Sequence, residues 1–233
     1  MEPNSNTNDR QNLIAALQDY STCDVSDALQ GLGVLYGGFI PGPTLRSPQY
    51  DESIKIVGRA YTVQYISVSA SAGVTPNEAG HYIDNVPPGS VVFVHAPEGT
   101  TNAVYGGMMS RRARVRQAVG TVVCGRVRDL EEHKALGFPV FANGIGTASP
   151  YGVVKVGKIN EDIRIRNEGQ DVLVRPGDCI IGDLNGVVCL PLELAESALK
   201  LMADYAAQDA KVAADLLDGV GFEEASRRHR IKK

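Results

Sequence analysis

The chain has 233 residues, a formal charge of −4, 43% apolar residues, 25 glycines and no tryptophan. This length suits one domain, or one domain with an appended helix, and the charge excludes a protein built over its whole surface to bind polyanions. No apolar run approaches the roughly 20 residues needed to cross a bilayer, so a soluble, cytosolic α/β protein rich in tight turns is expected.

Residues 1–11 are polar, without the apolar stretch of a secretory leader, and read as a flexible tail. Residues 12–217 read as a single domain and 218–233 as a charged, solvated tail. Within the domain, Asn12 to Leu17 begins a short helix, and Thr22 to Gly33 holds a second with Asp24 or Ser26 near its start. Gly37 to Pro48 reads as a Gly/Pro-punctuated loop, and Ile54 to Val68 alternates in the manner of a strand. Ser69 to Pro76 is small and polar, a loop expected to be mobile. Pro87-Pro88-Gly89 then introduces Val91 to Val94, the short continuous apolar run of a buried strand.

A turn at Gly106-Gly107 opens a helix running to about Val119, followed by a strand from Thr121 to Cys124. Leu130 to Leu136 is a helix that Gly137 stops, and Phe138 to Ala142 is the next strand. This alternation implies parallel pairing with crossover helices. After Gly144 the rhythm changes to short strands near 153–156, 163–165, 172–174, 179–181 and 187–190, punctuated by turns such as Arg175-Pro176-Gly177-Asp178. Leu192 to about Leu217 is one long helix, whose Leu194, Ala198, Leu201 and Tyr205 share a face able to close the domain or meet another subunit.

Chemistry concentrates in Gly106-Gly107-Met108-Met109 and, some twenty residues on, Gly125-Arg126-Val127-Arg128-Asp129. A glycine pair opening a helix leaves backbone N–H groups free to hold a carboxylate or phosphate. An adjacent guanidinium and carboxylate can grip an anionic substrate and a hard divalent cation. Brought together, the two turns make a site for a small metal-chelating oxo-acid. Plainer readings compete. Asp129 followed by Glu132 resembles a helix-capping arrangement, Arg128 can pair with Glu131 or Glu132 for under about 1 kcal/mol, and the glycines serve equally in a tight turn. Arg111, Arg112, Arg114 and Arg116 form the one basic cluster, read as a solvated helix face rather than a nucleic-acid surface. Cys23, Cys124, Cys179 and Cys189 lack metal-ligand spacing and read as reduced core residues, and the four histidines lack such spacing too.

The ordered set of Thr22-Cys23-Asp24-Val25-Ser26-Asp27, Gly58-Arg59-Ala60-Tyr61-Thr62-Val63, Val86-Pro87-Pro88-Gly89, Gly106-Gly107-Met108-Met109, Gly125-Arg126-Val127-Arg128-Asp129, Phe138-Pro139-Val140-Phe141-Ala142, Val174-Arg175-Pro176-Gly177-Asp178 and Gly182-Asp183-Leu184-Asn185-Gly186 resembles the RraA-like family. That family comprises the regulator of ribonuclease E activity and the 4-hydroxy-4-methyl-2-oxoglutarate aldolases. The resemblance implies a swivelling β/β/α domain with a long C-terminal helix, assembled as a homotrimer or a hexamer with sites between subunits. It implies Mg²⁺ or Mn²⁺ at Asp129, contact of Arg128 with the oxo oxygen of a small oxo-acid, and a pyruvate carboxylate on the amides of Gly106 to Met109. Glu193, Glu196 or Asp204 of a neighbouring subunit is a further acidic candidate. The chain departs from the family where Gly107, Cys124, Asn143 and Asn185 stand; acidic residues are common at the first, second and fourth of these positions, and Arg or Lys at the third. The implied function is a metal-dependent lyase releasing pyruvate from 4-hydroxy-2-oxo acids, with oxaloacetate decarboxylation at the same site. The alternatives are a non-catalytic regulator of a ribonuclease or helicase, or a specialised enzyme for another oxo-acid.

Overall fold

The computed structural model describes residues 12–49, 51–70, 80–167 and 169–230. The tail expected at 1–11, and the part of the expected loop from 71 to 76, lie outside the described residues. Residues 12–17 are helical (α1), and α2 spans Thr22–Gly31. Neither Asp24 nor Ser26 is the cap of α2. Ser21 is, with its hydroxyl accepting from the Asp24 N–H while Asp24 accepts from the Ser21 N–H at 2.7 Å, a reciprocal capping box.

Ten strands form one mixed sheet: β1 (Phe39–Ile40), β2 (Thr44–Ser47), β3 (Ile56–Ser67), β4 (Ser90–His95), β5 (Ala103–Tyr105), β6 (Gly120–Val127), β7 (Val140–Ile145), β8 (Val154–Ile159), and, after the separate hairpin of β9 (Ile163–Asn167) and β10 (Gln170–Val174), β11 (Cys179–Asp183) and β12 (Gly186–Leu190). Their order is β1-β12-β11-β3-β4-β6-β7-β2, with β5 beside the end of β6 and β8 beside the end of β3. Strands β3, β4, β6 and β7 pair in parallel, as the alternation of strands and helices implies. Helix α3 (Gly107–Val115) links β5 to β6, and α4 (Leu130–Leu136) links β6 to β7.

Side-chain alternation sorts the strands' residues among three cores. Val91, Phe93, Val122, Cys124 and Phe141 point to one face with Ile56, Ile180 and Val187. Their neighbours Val92, Val94, Val123, Val140 and Ala142 point to the other, under α3 and α4. The sheet curls around the first of these groups: a Cβ built on Gly182 of β11 would stand 3.1 Å from the Phe141 ring of β7, although three strands intervene in the sheet order. The third core joins β11 and β12 to α2 and to α5 (Ala195–Leu217), burying Leu29, Ile181, Leu190, Ala198 and Met202. The apolar face of the long helix therefore closes its own domain, and Leu194 and Leu201 pack there too.

Several boundaries differ from expectation. The segment 37–48 holds β1 and β2, each held by a partner distant in sequence: β1 pairs with β12 and β2 with β7. Helix α3 ends at Val115, because Arg116 caps it, Gln117 takes a left-handed φ of 61°, and the Val119 N–H turns to Ser90. The expected solvated tail contains α6 (Phe222–His229), fastened to α5 by Arg228 and His229 on Asp215, both at 3.1 Å, and by Arg230 on Asp209. Cys124, Cys179 and Cys189 are buried as expected, but Cys23 is exposed.

Candidate functional site

The fold brings the two turns together. Strand β5 pairs with the end of β6, and the Arg128 N–H donates to the Tyr105 carbonyl at 3.1 Å, so Gly106-Gly107 and Arg128-Asp129 leave the sheet side by side. Asp129 sits at the N-cap position of α4 with φ 62° and ψ 43°, a left-handed conformation in which its side chain makes no hydrogen bond to α4. Its carboxylate turns instead to the neighbouring helix: Oδ2 accepts the Gly107 N–H at 3.0 Å, at the positive end of α3. The capping reading is thus corrected. Asp129 caps α3, not the helix it precedes.

Arg128 does not pair with Glu131 or Glu132; its Nε lies 3.5 Å from Asp129 Oδ2. Glu132 belongs to another arrangement. A Cβ at Gly107 would run into the Glu132 carboxylate, and one at Gly106 would stand 2.6 Å from Asp129 Oδ2. The glycine pair is therefore required by close approach: two carboxylates occupy the space that side chains there would take. Glu132 was legible in the sequence only as a capping residue or a surface partner of Arg128, and its place over Gly107 depends on the packing of α4 against α3. Of the remaining expected residues, Met108 is exposed and Met109 packs against the core beneath α3.

Beneath the turn lies a buried polar group. Tyr105 is enclosed, its hydroxyl held by Thr121 at 2.9 Å, and burial pushes its pKa up to about 12. His133 stacks on it with ring centroids 5.9 Å apart. His133 is fully buried, neither ring nitrogen reaches a hydrogen-bond partner although the Arg128 main chain lies beside it, and burial lowers its pKa below the usual imidazole value. Burial pushes the Cys124 thiol up to about 12, which disfavours its thiolate. The arginine cluster on α3 is engaged within the chain: Arg111 with Glu132, Arg112 with Asp84, Arg114 on the Leu136 carbonyl and Arg116 on the Val86 carbonyl.

The donor set suits a hard divalent cation of the Mg²⁺ type, which takes one or two carboxylates and otherwise waters and substrate oxygens. Asp129 is such a carboxylate, partly exposed and with Glu132 nearby across the glycine pair. Among the described residues, no three His, Cys, Asp or Glu side chains gather as metal ligands. Glu193, one candidate for an acid lent to a neighbour, is here bound to Arg175 Nη1 at 2.9 Å. Among the described residues no helix is long and apolar enough to cross a membrane.

Three comparisons agree with this architecture. The chain is 30% identical over 214 residues to protein DlpA of Legionella pneumophila, covering 92% of this chain but 33% of DlpA, so it spans about a third of that relative's length. It is 32% identical over 189 residues to a provisionally named 4-hydroxy-4-methyl-2-oxoglutarate aldolase of Halalkalibacterium halodurans, covering 81% of this chain and 80% of the relative. A crystal structure of an uncharacterized protein from Pseudomonas syringae superposes with a TM-score of 0.79 at 27% identity, over 94% of each chain. The family model described as RraA-like, Aldolase/RraA, matches residues 22–189, from the start of α2 into β12 and so across both turns of the site and their helices; the chain belongs to the RraA-like family.

Proposed function

We propose that the protein is a divalent-metal-dependent lyase that releases pyruvate from 4-hydroxy-2-oxo acids of the 4-hydroxy-4-methyl-2-oxoglutarate type, and that also decarboxylates oxaloacetate. The observation that carries this reading is the 3.0 Å bond from the Gly107 N–H to Asp129, which joins the two turns into one corner. The aldolase name of the Halalkalibacterium relative supports the same reaction class.

In this reading the Met108 N–H at the positive end of α3 receives the substrate carboxylate, since the Gly107 N–H is taken by Asp129 and the Met109 N–H by the Gly106 carbonyl. Arg128 presents its fork to the oxo oxygen, where negative charge grows as the C3–C4 bond breaks and the 4-hydroxyl loses its proton. Asp129 would hold Mg²⁺ or Mn²⁺, which would supply Lewis-acid polarisation of the oxo group and an acidified water. No side chain of the corner is placed as the base for the hydroxyl proton. The assembly is a trimer or hexamer whose neighbouring subunit completes the site.

The test is pyruvate release from oxaloacetate and 4-hydroxy-4-methyl-2-oxoglutarate with Mg²⁺, with Mn²⁺ and with excess EDTA, alongside the mass in solution. Turnover that survives the chelator rules out the metal-dependent reaction. Absence of turnover under all conditions returns the chain to the regulatory reading, and a monomer removes the shared site.

A further inference from the structure

A second feature of the same strand has no role so far. A cavity of about 780 Å³ opens at the carboxyl ends of β4, β6 and β7, where His95, Cys124 to Arg126, and Asn143 with Gly144 meet. The hairpin β9–β10 forms its far wall with Arg164 and Arg166. Crevices at the carboxyl ends of parallel strands are where such sheets hold ligands, because the strands stop there and their loops diverge.

Its chemistry is that of an anion receptor. The β7 carbonyls that would otherwise make the rim negative are occupied: Arg46 donates to Ala142 and Asn143, and Arg126 Nη1 donates to Ile145 at 2.8 Å. That bond fixes the Arg126 fork, and none of its other N–H groups has an acceptor among the described residues. Gly144 pairs with Arg126 across β6 and β7, and a Cβ there would stand 3.1 Å from Arg126 Nη1. Asp171 offsets Arg164 through bonds of 2.6 and 2.7 Å and lies 3.6 Å from Arg166, while Glu98 is the one carboxylate in the lining itself. Three guanidiniums thus face two carboxylates, and the uncompensated one is Arg126.

Arg126 precedes Arg128 by two residues, roughly 7 Å along an extended chain. That is within reach of the distal carboxylate of a five-carbon diacid whose oxo oxygen meets Arg128. We infer that this cavity is the distal subsite of the corner at Arg128 and Asp129, and that Arg126 selects substrates bearing a second carboxylate. The inference rests on the reading of that corner as the oxo-acid site. It makes Arg126 a specificity-determining residue for diacids.

The experiment compares kcat/KM for 4-hydroxy-4-methyl-2-oxoglutarate with that for 4-hydroxy-2-oxopentanoate, which lacks the distal carboxylate. It uses the wild type, Arg126→Gln, Arg126→Lys and Arg166→Gln. The wild type is expected to prefer the diacid, and Arg126→Gln to lower that preference roughly tenfold or more through loss of a charged, two-pronged contact. Arg126→Lys retains charge without the fork and gives a smaller loss; together with Arg166→Gln it decides the matter if Arg126→Gln fails to fold. A preference that none of these variants moves overturns the inference. If the wild type cleaves neither compound, the catalytic reading falls and a binding measurement decides the cavity. Glutarate in EDTA raising the melting temperature of the wild type but not of Arg126→Gln or Arg126→Lys sustains it as a diacid site. An equal rise, or none, overturns it.

Discussion

Gly106→Ala is the sharpest probe of the corner, because its effect runs through one contact. Gly106 has φ −145° and ψ −177°, extended backbone that alanine adopts without strain. The added methyl would stand 2.6 Å from Asp129 Oδ2 and 3.4 Å from Arg128 Cγ and Nε. Real side chains do not tolerate the first distance, so the Asp129 carboxylate must rotate away and release the Gly107 N–H. A hydrogen bond to a charged group contributes about 1.5–3 kcal/mol, but the Asp129 side chain is 36% exposed and water replaces much of what is lost. A net cost of about 1 kcal/mol follows, which lowers the melting temperature by roughly 2–4 °C in a chain of this size. Activity should suffer far more: a ligand or orienting group displaced by about an ångström can cost roughly 100-fold in turnover. Melting, Mn²⁺ titration and pyruvate release on one preparation of Gly106→Ala measure all three. A variant that melts slightly early yet binds Mn²⁺ and turns over like the wild type would show that the placement of Asp129 serves the fold alone.

Arg128→Lys keeps the charge and loses the planar fork, so turnover should drop by about two orders of magnitude, the scale of one lost oxyanion contact, with melting unchanged; near-normal kinetics would leave Arg128 as a surface partner of Asp129. Asp129→Asn retains an oxygen able to accept the Gly107 N–H but loses the charge facing the α3 terminus, an effect of roughly 0.3–1 kcal/mol. The expected result is a folded protein with weak Mn²⁺ affinity and little turnover, and wild-type metal dependence would refute the ligand assignment. His133→Leu should raise stability by about 1–2 kcal/mol at neutral pH, since it replaces a buried ring whose nitrogens lack partners. His133 has its pKa lowered by burial, so its contribution to stability is full above the ordinary imidazole value of about 6.5 and is lost as pH falls through the depressed one. Urea unfolding at pH 7.5 and at pH 5 should therefore show the variant's advantage widening in acid; a variant weaker at both would mean that a ring nitrogen has a partner.

Where sequence reasoning succeeded, a local signal matched a local cause. The continuous run around Val91–Val94 is a strand buried on both faces, and its alternate residues enter two different cores. Gly137 ends α4 with φ 58°, as its position after Leu136 implies. What was missed depended on partners far along the chain. Strands β1 and β2 lie within a Gly/Pro-rich segment that reads as loop, and only pairing with β12 and β7 makes them strands. Strand β5 has three residues, too few for any periodicity, yet it sets Gly106 beside Arg128. The same holds within the site. The residue types of Gly106, Gly107, Arg128 and Asp129 were legible, but the sequence offered α4 as the helix that Asp129 would cap. Only the pairing of β5 with β6 brings α3 close enough to take that carboxylate.

The conformation of Asp129 bears on why that exchange of helices matters. An ordinary N-cap residue is extended, and aspartate there satisfies its own helix at no backbone cost. Asp129 takes a left-handed conformation instead, which costs a non-glycine residue roughly 1–2 kcal/mol, and its side chain makes no bond to α4. A left-handed aspartate that only stabilised α4 would give a poorer cap at higher cost. The strain becomes intelligible if its role is to present the carboxylate sideways, beside Arg128 and over a glycine pair that leaves room for it. Strained, non-glycine turns of this kind persist where surrounding structure over-determines them, and the surroundings here do so: Tyr105 holds the Arg128 N–H, and the Asp129 carbonyl accepts from both Glu132 and His133. In the reading proposed above, a single carboxylate fixed in that way, with no group of three ligands among the described residues, would receive a cation whose remaining partners arrive with the substrate or with a neighbouring chain.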